Sequence, residues 1–195
     1  MRYRDENKIQ NIKEKAIEMI AKEGYENFGI NRLAKAAGVS PATIYIYYKD
    51  KEDLISNIVS EASDAMVKAI FHDFDPESSF EEGLWKQWKN RAAYCLKEPM
   101  MNTFMERMRN TDIGNCQQVQ INDQMKKHSS TFMTKAHERG ELTCMSLEVY
   151  WAVAFSPLYT LIRFHQQGKS FGGRKFQLTD EILREAFEKV IKSFK

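Results

Sequence analysis

Among its 195 residues the chain has only three cysteines, and what it lacks narrows the field before any motif is read. Cys95, Cys116 and Cys144 lie far apart and are odd in number, which fits neither a disulfide framework nor a paired zinc-ligand spacing. Reduced, structural thiols are expected. No apolar run approaches the roughly 18 residues that a membrane span needs. The most apolar stretch, Ala152 to Ile162, is short and interrupted by Ser156, Pro157 and Thr160. The first six residues open with charge rather than an apolar signal core, so secretion is not expected and a cytoplasmic, soluble protein is. Strand-like alternation is nearly absent, and so are repeats and low-complexity tracts. His72, His128, His137 and His165 show no metal-ligand spacing. A Gly-rich phosphate loop, a serine elbow, a metal-binding helix and a Cys–His pairing are all missing, so no metal, cofactor or catalytic residues are expected and the chain does not read as an enzyme. The formal net charge of +2 is too small to argue for a nucleic-acid partner by itself, and any such claim must rest on local geometry.

What is present is a globular composition, 43% hydrophobic and 29% charged, arranged with helical periodicity. The expected fold class is all-α, with about nine helices. From Glu6 to Glu23 the residues Ile9, Ile12, Ala16, Ile17, Met19 and Ile20 share one face, and Gly24 stops the helix. A short helix over Ile30–Ala37 points Leu33, Ala34 and Ala37 inward and ends at Gly38. Ser40 followed by Pro41 is a helix start, so a third helix is expected over about Pro41–Tyr48. Asp50 caps a fourth, whose stripe from Leu54 through Ala69 carries the chain towards the Asp75-Pro76 break. Further helices are expected at about Ser79–Leu96, Met100–Asn110, Gln117–Arg139, Ser146–Gln167 and Thr179–Phe194, separated by Pro99, Gly114, Gly140 and the loop from Gly168 to Arg174.

The second and third helices, joined by Ala37-Gly38-Val39-Ser40, match a helix-turn-helix, whose short Gly-containing turn sets one helix across the other. Ile44 and Tyr48 share the inward face of the third helix. Pro41, Ala42, Thr43, Ile46 and Tyr47 are left outward, and that much exposed apolar and aromatic surface needs a partner.

The sequence Gly24-Tyr25-Glu26-Asn27-Phe28, then Ile30 through Ser40, then Thr43 through Leu54 resembles the N-terminal signature of the tetracycline-repressor (TetR) family of bacterial regulators, over about residues 8 to 60. The resemblance implies a helix-turn-helix DNA-binding domain over residues 1–50, and a ligand-sensing and dimerisation domain over 51–195 built as an antiparallel helical bundle. A helix of about 50–70 bridges them. It implies base contacts from Asn31, Pro41, Ala42, Thr43 and Ile46, with Ser40, Tyr45, Tyr47 and Lys51 also at the DNA. In chemical terms Thr43 offers a hydroxyl and a methyl, Asn31 suits adenine, and the tyrosine hydroxyls and the Lys51 ammonium suit phosphate. One departure is Gly29, where the family usually has a serine or threonine that caps the second helix and touches a phosphate.

The body is rich in large, soft side chains. Trp85, Trp88, Phe104, Met108, Trp151, Phe155 and Tyr159 are the candidate walls of a pocket for an apolar or aromatic ligand, against the plainer reading that they form a core. The terminal stripe of Ile182, Leu183, Ala186, Phe187, Val190, Ile191 and Phe194, with Trp151 to His165, is expected to pair two copies into a homodimer through the last two helices. The expected function is transcriptional regulation: a repressor on palindromic double-stranded operator DNA, released by a small-molecule inducer. Competing readings are an architectural or division-linked DNA binder without an inducer, an activator and, least, a helical enzyme.

Overall fold

The short helices of the N-terminal third have too few residues to be stable alone and depend on a shared apolar face. The computed structural model, which describes residues 6–194, shows how that face is built. Nine α-helices are present among the described residues: α1 Glu6–Glu23, α2 Ile30–Ala37, α3 Pro41–Tyr47, α4 Lys51–Ile70, α5 Phe80–Lys97, α6 Pro99–Met108, α7 Asp112–Glu138, α8 Leu147–Gln167 and α9 Asp180–Lys192. Two 3-10 turns, Tyr25–Asn27 and Phe171–Gly173, complete them. The all-α expectation holds, and most helix ends fall within two residues of where periodicity and caps put them.

The exception is α7, which begins at Asp112 and takes in Gly114, the residue expected to separate two helices. Thr111 explains the early start: its hydroxyl accepts from the Gly114 amide at 3.1 Å and its carbonyl from the Asn115 amide at 2.8 Å. Glycine stands at 114 because of a close approach, since a Cβ there would run into the Met108 carbonyl at the end of α6.

The chain forms two compact units. The first comprises the described residues up to Ala65 together with Glu98–Asn122, and the second comprises Met66–Lys97 and Asp123 onward. The chain therefore passes between them three times, inside α4, between α5 and α6, and inside α7.

In the first unit Ile12, Ala16 and Ile20 of α1 meet Leu33 and Ala34 of α2, Ile44 of α3, Leu54, Ile55, Ile58 and Val59 of α4, and Phe104 and Met108 of α6 in one core. Each large aliphatic group buried here contributes about 1.5 to 3 kcal/mol against chain entropy. Polar side chains close the ends of the helices. Asn11 Nδ2 donates to the Ala37 carbonyl at 2.9 Å, and Arg107 Nε on α6 donates to the Ala21 carbonyl at 3.0 Å.

The second unit packs the C-terminal half of α7 with α5, α8 and α9 around Phe80, Leu84, Trp88, Phe132, Phe155, Leu158 and Phe187. Pro157 lies inside α8 and has no amide to donate. In the turn before it, the Ala154 carbonyl accepts from the Trp88 indole at 2.7 Å, which locks α5 to α8. The α9 stripe is spent in this same core, because Leu183, Phe187, Val190, Ile191 and Phe194 are all buried within their own unit. This corrects the expectation that the stripe is surplus to the body and hence an interface: α5 and α8 of the same unit cover it, and only Ile182 and Ala186 at its edge stay half-buried.

Candidate nucleic-acid interface and ligand site

The helix-turn-helix is built by local chemistry. Gly38 adopts φ 66°, ψ 31°, a left-handed conformation that a side chain would strain. The next amide, Val39, then reaches back to the Ala34 carbonyl at 3.0 Å. Two residues on, Ser40 is extended and its Oγ accepts from the Thr43 amide at 3.2 Å, with Pro41 at the first helical position. These two stops and starts set α3 across α2. Asp50 then caps α4 by accepting from the Asp53 amide at 2.8 Å, while Asp53 accepts from the Lys49 amide at 2.9 Å.

The outward face of α3 is solvent-exposed. Ile46 is 61% exposed and Tyr45 54% exposed, and Pro41, Ala42, Ser40 and Asn31 are also exposed. Ile44 and Tyr48 are buried as the anchoring side of the helix. Thr43 is half-buried, with its Oγ1 2.9 Å from Ser40 Oγ, so its hydroxyl is already shared with the cap and its methyl is the freer group. Tyr47, expected on the outward face, is half-buried and packs against the core of the first unit, because the short helix turns Tyr45 rather than Tyr47 to solvent.

Lys51, also half-buried, is drawn inward. Its ammonium lies 4.0 Å from the Tyr25 ring centre and 3.4 Å from the Tyr25 carbonyl, to which it donates. The cation is thus held by an aromatic face and a carbonyl. Burial raises the Tyr25 phenol above its ordinary pKa, with Glu52 adding to the shift, so the hydroxyl stays protonated near neutrality. Gly29 caps α2 with extended backbone, φ −150° and ψ 145°, and no side-chain bond.

The body candidates divide. Trp85, Trp88, Trp151, Phe155 and Tyr159 lie in the second unit, whereas Phe104 and Met108 belong to the core of the first, packed with α1 to α4. Those two are core residues of the first unit, not members of the cluster that holds the tryptophans. Their periodicity marked them correctly as apolar, but no sequence rule says which of two cores a helix face will join. Trp88 is fully buried with its indole committed to Ala154, and Phe187 packs against both Trp85 and Trp88.

Around Trp151, Phe155 and Tyr159 stands a residue the sequence reading missed. Arg91, on α5, is 2% exposed. Its Nη1 donates to the Tyr159 hydroxyl at 2.8 Å, and its guanidinium carbon lies 4.1 Å from the Phe155 ring centre and 5.2 Å from that of Trp151. Its Nε is buried without a partner. Tyr150, next along α8, has its phenol pushed up to about 12 by burial, with the Arg91 charge pulling the other way. The signal was legible, since Arg91 falls on the α5 stripe of Leu84, Trp88, Ala92 and Cys95, where an arginine is out of pattern.

An all-α chain with a helix-turn-helix over α2 and α3, and an aromatic-lined body enclosing a cation, belongs to the class of helix-turn-helix proteins with a separate helical body. Residues 12–58 match the family model described as bacterial regulatory proteins, tetR family. Over those residues, about a quarter of the chain, it is similar to that family. It is 32% identical over 77 residues to the fatty acid metabolism regulator protein of Bacillus subtilis (strain 168), a match covering 40% of each protein. The aligned stretch thus spans well under two thirds of that relative. Along nearly its whole length the chain resembles the crystal structure of a TetR family transcription regulator from Marinobacter aquaeolei VT8, with 26% identity, a TM-score of 0.78, and 99% and 98% of the two chains covered. A TetR-family regulator from Haemophilus influenzae Rd shares the fold at 21% identity and a TM-score of 0.71, covering 98% of each chain. No described helix is long and apolar enough to cross a membrane.

Proposed function

We propose that this protein is a DNA-binding transcriptional regulator, a repressor that grips a palindromic operator as a homodimer and lets go when a small ligand binds its body. The observation that carries the reading is the outward face of α3, where Tyr45 and Ile46 stand exposed on a helix positioned by the Gly38 turn and the Ser40 cap. A helix so presented fits the major groove, with Pro41, Ala42, Thr43, Ile46 and Asn31 towards base edges. On the same reading Ser40, Tyr45, Tyr47 and Lys51 serve the DNA backbone. In this reading residues up to about 50 contact DNA, and 51–195 sense ligand and dimerise.

A second copy supplies the second half-site, about one helical turn of DNA away. With the α9 stripe consumed internally, the pairing surface falls to the outward faces of the last two helices. On α8 these are the exposed Ala152 and Ser156, with Thr160 and Arg163 following at helical spacing; small groups there permit close approach. On α9 they are the charged Arg184, Glu185 and Glu188.

The relative's name concerns fatty acid metabolism, but the shared stretch covers 40% of each protein and carries no ligand over. The ligand reading is supported instead by the aromatic body around Trp151, Phe155 and Tyr159. Selection from a randomised duplex library tests the function directly. The expected result is an enriched palindrome bound at nanomolar concentration in moderate salt, and failure to enrich any sequence over random DNA overturns it.

A further inference from the structure

We propose that Arg91 anchors the anionic head of the ligand, so that the body between α5 and α8 is a receptor for a small carboxylate with an apolar tail or ring. This rests on the reading of the second unit as a ligand sensor and deepens it by naming the ligand class.

The argument begins with what a buried guanidinium requires. It carries five N–H donors and a permanent charge, and burying it is tolerated only with hydrogen-bonding partners and a compensating negative charge. Arg91 is 2% exposed, yet its recorded partners are all neutral: one hydroxyl and two rings. No aspartate or glutamate pairs with it among the described residues, whose other arginine and lysine ion pairs are made elsewhere. Nε is buried and has no acceptor.

Ring faces attract a cation but cannot accept from N–H groups lying in the guanidinium plane. With Nη1 held by Tyr159 and Nε buried without an acceptor, the free donor lies on the side of the guanidinium that pairs side-on with a carboxylate. A phosphate monoester fits the same edge, but the apolar surroundings favour the singly charged, more easily desolvated anion. Trp151 is 41% exposed, so one wall of the site reaches solvent and the ligand's route in runs along that indole. Phe155 and Trp151, ring centres 4.9 Å apart, offer the apolar surface for the rest of the molecule.

The experiment is calorimetric titration of the full chain with decanoate and 1-naphthoate, and with decanol and 1-naphthylmethanol as neutral counterparts. The proteins are wild type, Arg91→Gln, Arg91→Lys and Tyr159→Phe, with helix content checked by circular dichroism. At least one carboxylate is expected to saturate the wild type and to bind tenfold or more tightly than its alcohol. Arg91→Gln abolishes that preference and Arg91→Lys retains part of it. Tyr159→Phe, which keeps the charge and frees its orientation, weakens the carboxylate several-fold. If Arg91→Gln does not fold, the wild-type preference and the Tyr159→Phe loss decide.

The proposal is overturned if neither carboxylate saturates the wild type at millimolar concentration. It is equally overturned if folded Arg91→Gln keeps the preference, or if that variant turns monomeric while no probe binds, since the cation then serves a contact between copies. The two readings separate cleanly. Alcohols that bind and release operator equally from wild type and Arg91→Gln leave the sensor standing and remove the anchor. Carboxylate binding that depends on Arg91 but leaves operator affinity unchanged does the reverse.

Discussion

At the residue scale, the outward side of α3 separates into exposed groups and groups already engaged within the protein. Ile46 is exposed and touches no core, so Ile46→Ala is expected to leave stability unchanged while costing about 1 to 2 kcal/mol on the operator, the value of lost apolar contact with a base edge. Binding to random DNA should barely change, and a uniform loss on all sequences counts against base reading. Thr43 differs because its hydroxyl is shared with Ser40. Thr43→Val, which keeps the methyl, should preserve base preference better than Thr43→Ala, as read from a randomised operator library. Lys51 tests the backbone role. Held over Tyr25, its ammonium sits at a fixed place near the start of α4, so Lys51→Ala is expected to weaken operator and random DNA alike and to lower the salt slope by about one. A loss confined to the operator refutes it.

At the scale of elements, two helices carry contrasting predictions. The start of α2 has a glycine cap with nothing within 4 Å of where a Cβ would go, and its backbone is extended as any residue allows. Gly29→Ser therefore adds a side-chain acceptor without strain, worth a few tenths of a kcal/mol, and raises the melting temperature by about 1 °C. It also places a hydroxyl at a helix N-terminus, so affinity for any duplex should rise; a lowered melting temperature contradicts the cap geometry. The α9 helix works the other way. Phe187 is fully buried between Trp85 and Trp88, so Phe187→Asp puts an unpaired charge into the core and should cost more than about 4 kcal/mol, unfolding the second unit rather than merely separating subunits. Ser156→Arg on the exposed side of α8 is the clean interface variant: sedimentation should show monomer with helix content unchanged. A dimer that survives Ser156→Arg places the subunit contact on another surface.

At the scale of the whole molecule, the two compact units are joined by chain at three points, and α4 runs unbroken from one into the other. The α6 helix follows directly on α5 in sequence but contributes Phe104 and Met108 to the core that carries α2 and α3. A ligand shifts DNA affinity only by its differential affinity for the binding and non-binding states, so a hundredfold release requires about 2.7 kcal/mol of coupling. Linkage demands the reciprocal effect: saturating operator should weaken the ligand by the same factor. Calorimetry of an inducing compound with and without operator measures it, and equal affinities exclude induction even where the compound binds.

The sequence by itself determined the helices and the helix-turn-helix, because these depend on near neighbours: the period of Ile12, Ala16 and Ile20, the left-handed Gly38, the Ser40-Pro41 start and the Asp50 cap. On α3 the buried Ile44 and Tyr48 and the exposed Ile46 were legible for the same reason, whereas Tyr47, expected outward, packs against the core and Tyr45 is exposed in its place. Tertiary structure alone decided which apolar faces meet. Periodicity says that a face is buried and never against what, so it cannot separate Phe104 and Met108 from the tryptophans of a core they do not share, nor tell that the α9 stripe is covered by its own bundle rather than by a second subunit. The glycine at 114 looks like a break in sequence, because the Met108 carbonyl that excludes a side chain there is brought close only by folding. Arg91 is the reverse case. Its place on the apolar stripe of α5 was visible in the sequence, but whether a carboxylate awaited it was not, since charge compensation is a property of three-dimensional neighbours, and those are a hydroxyl and two rings.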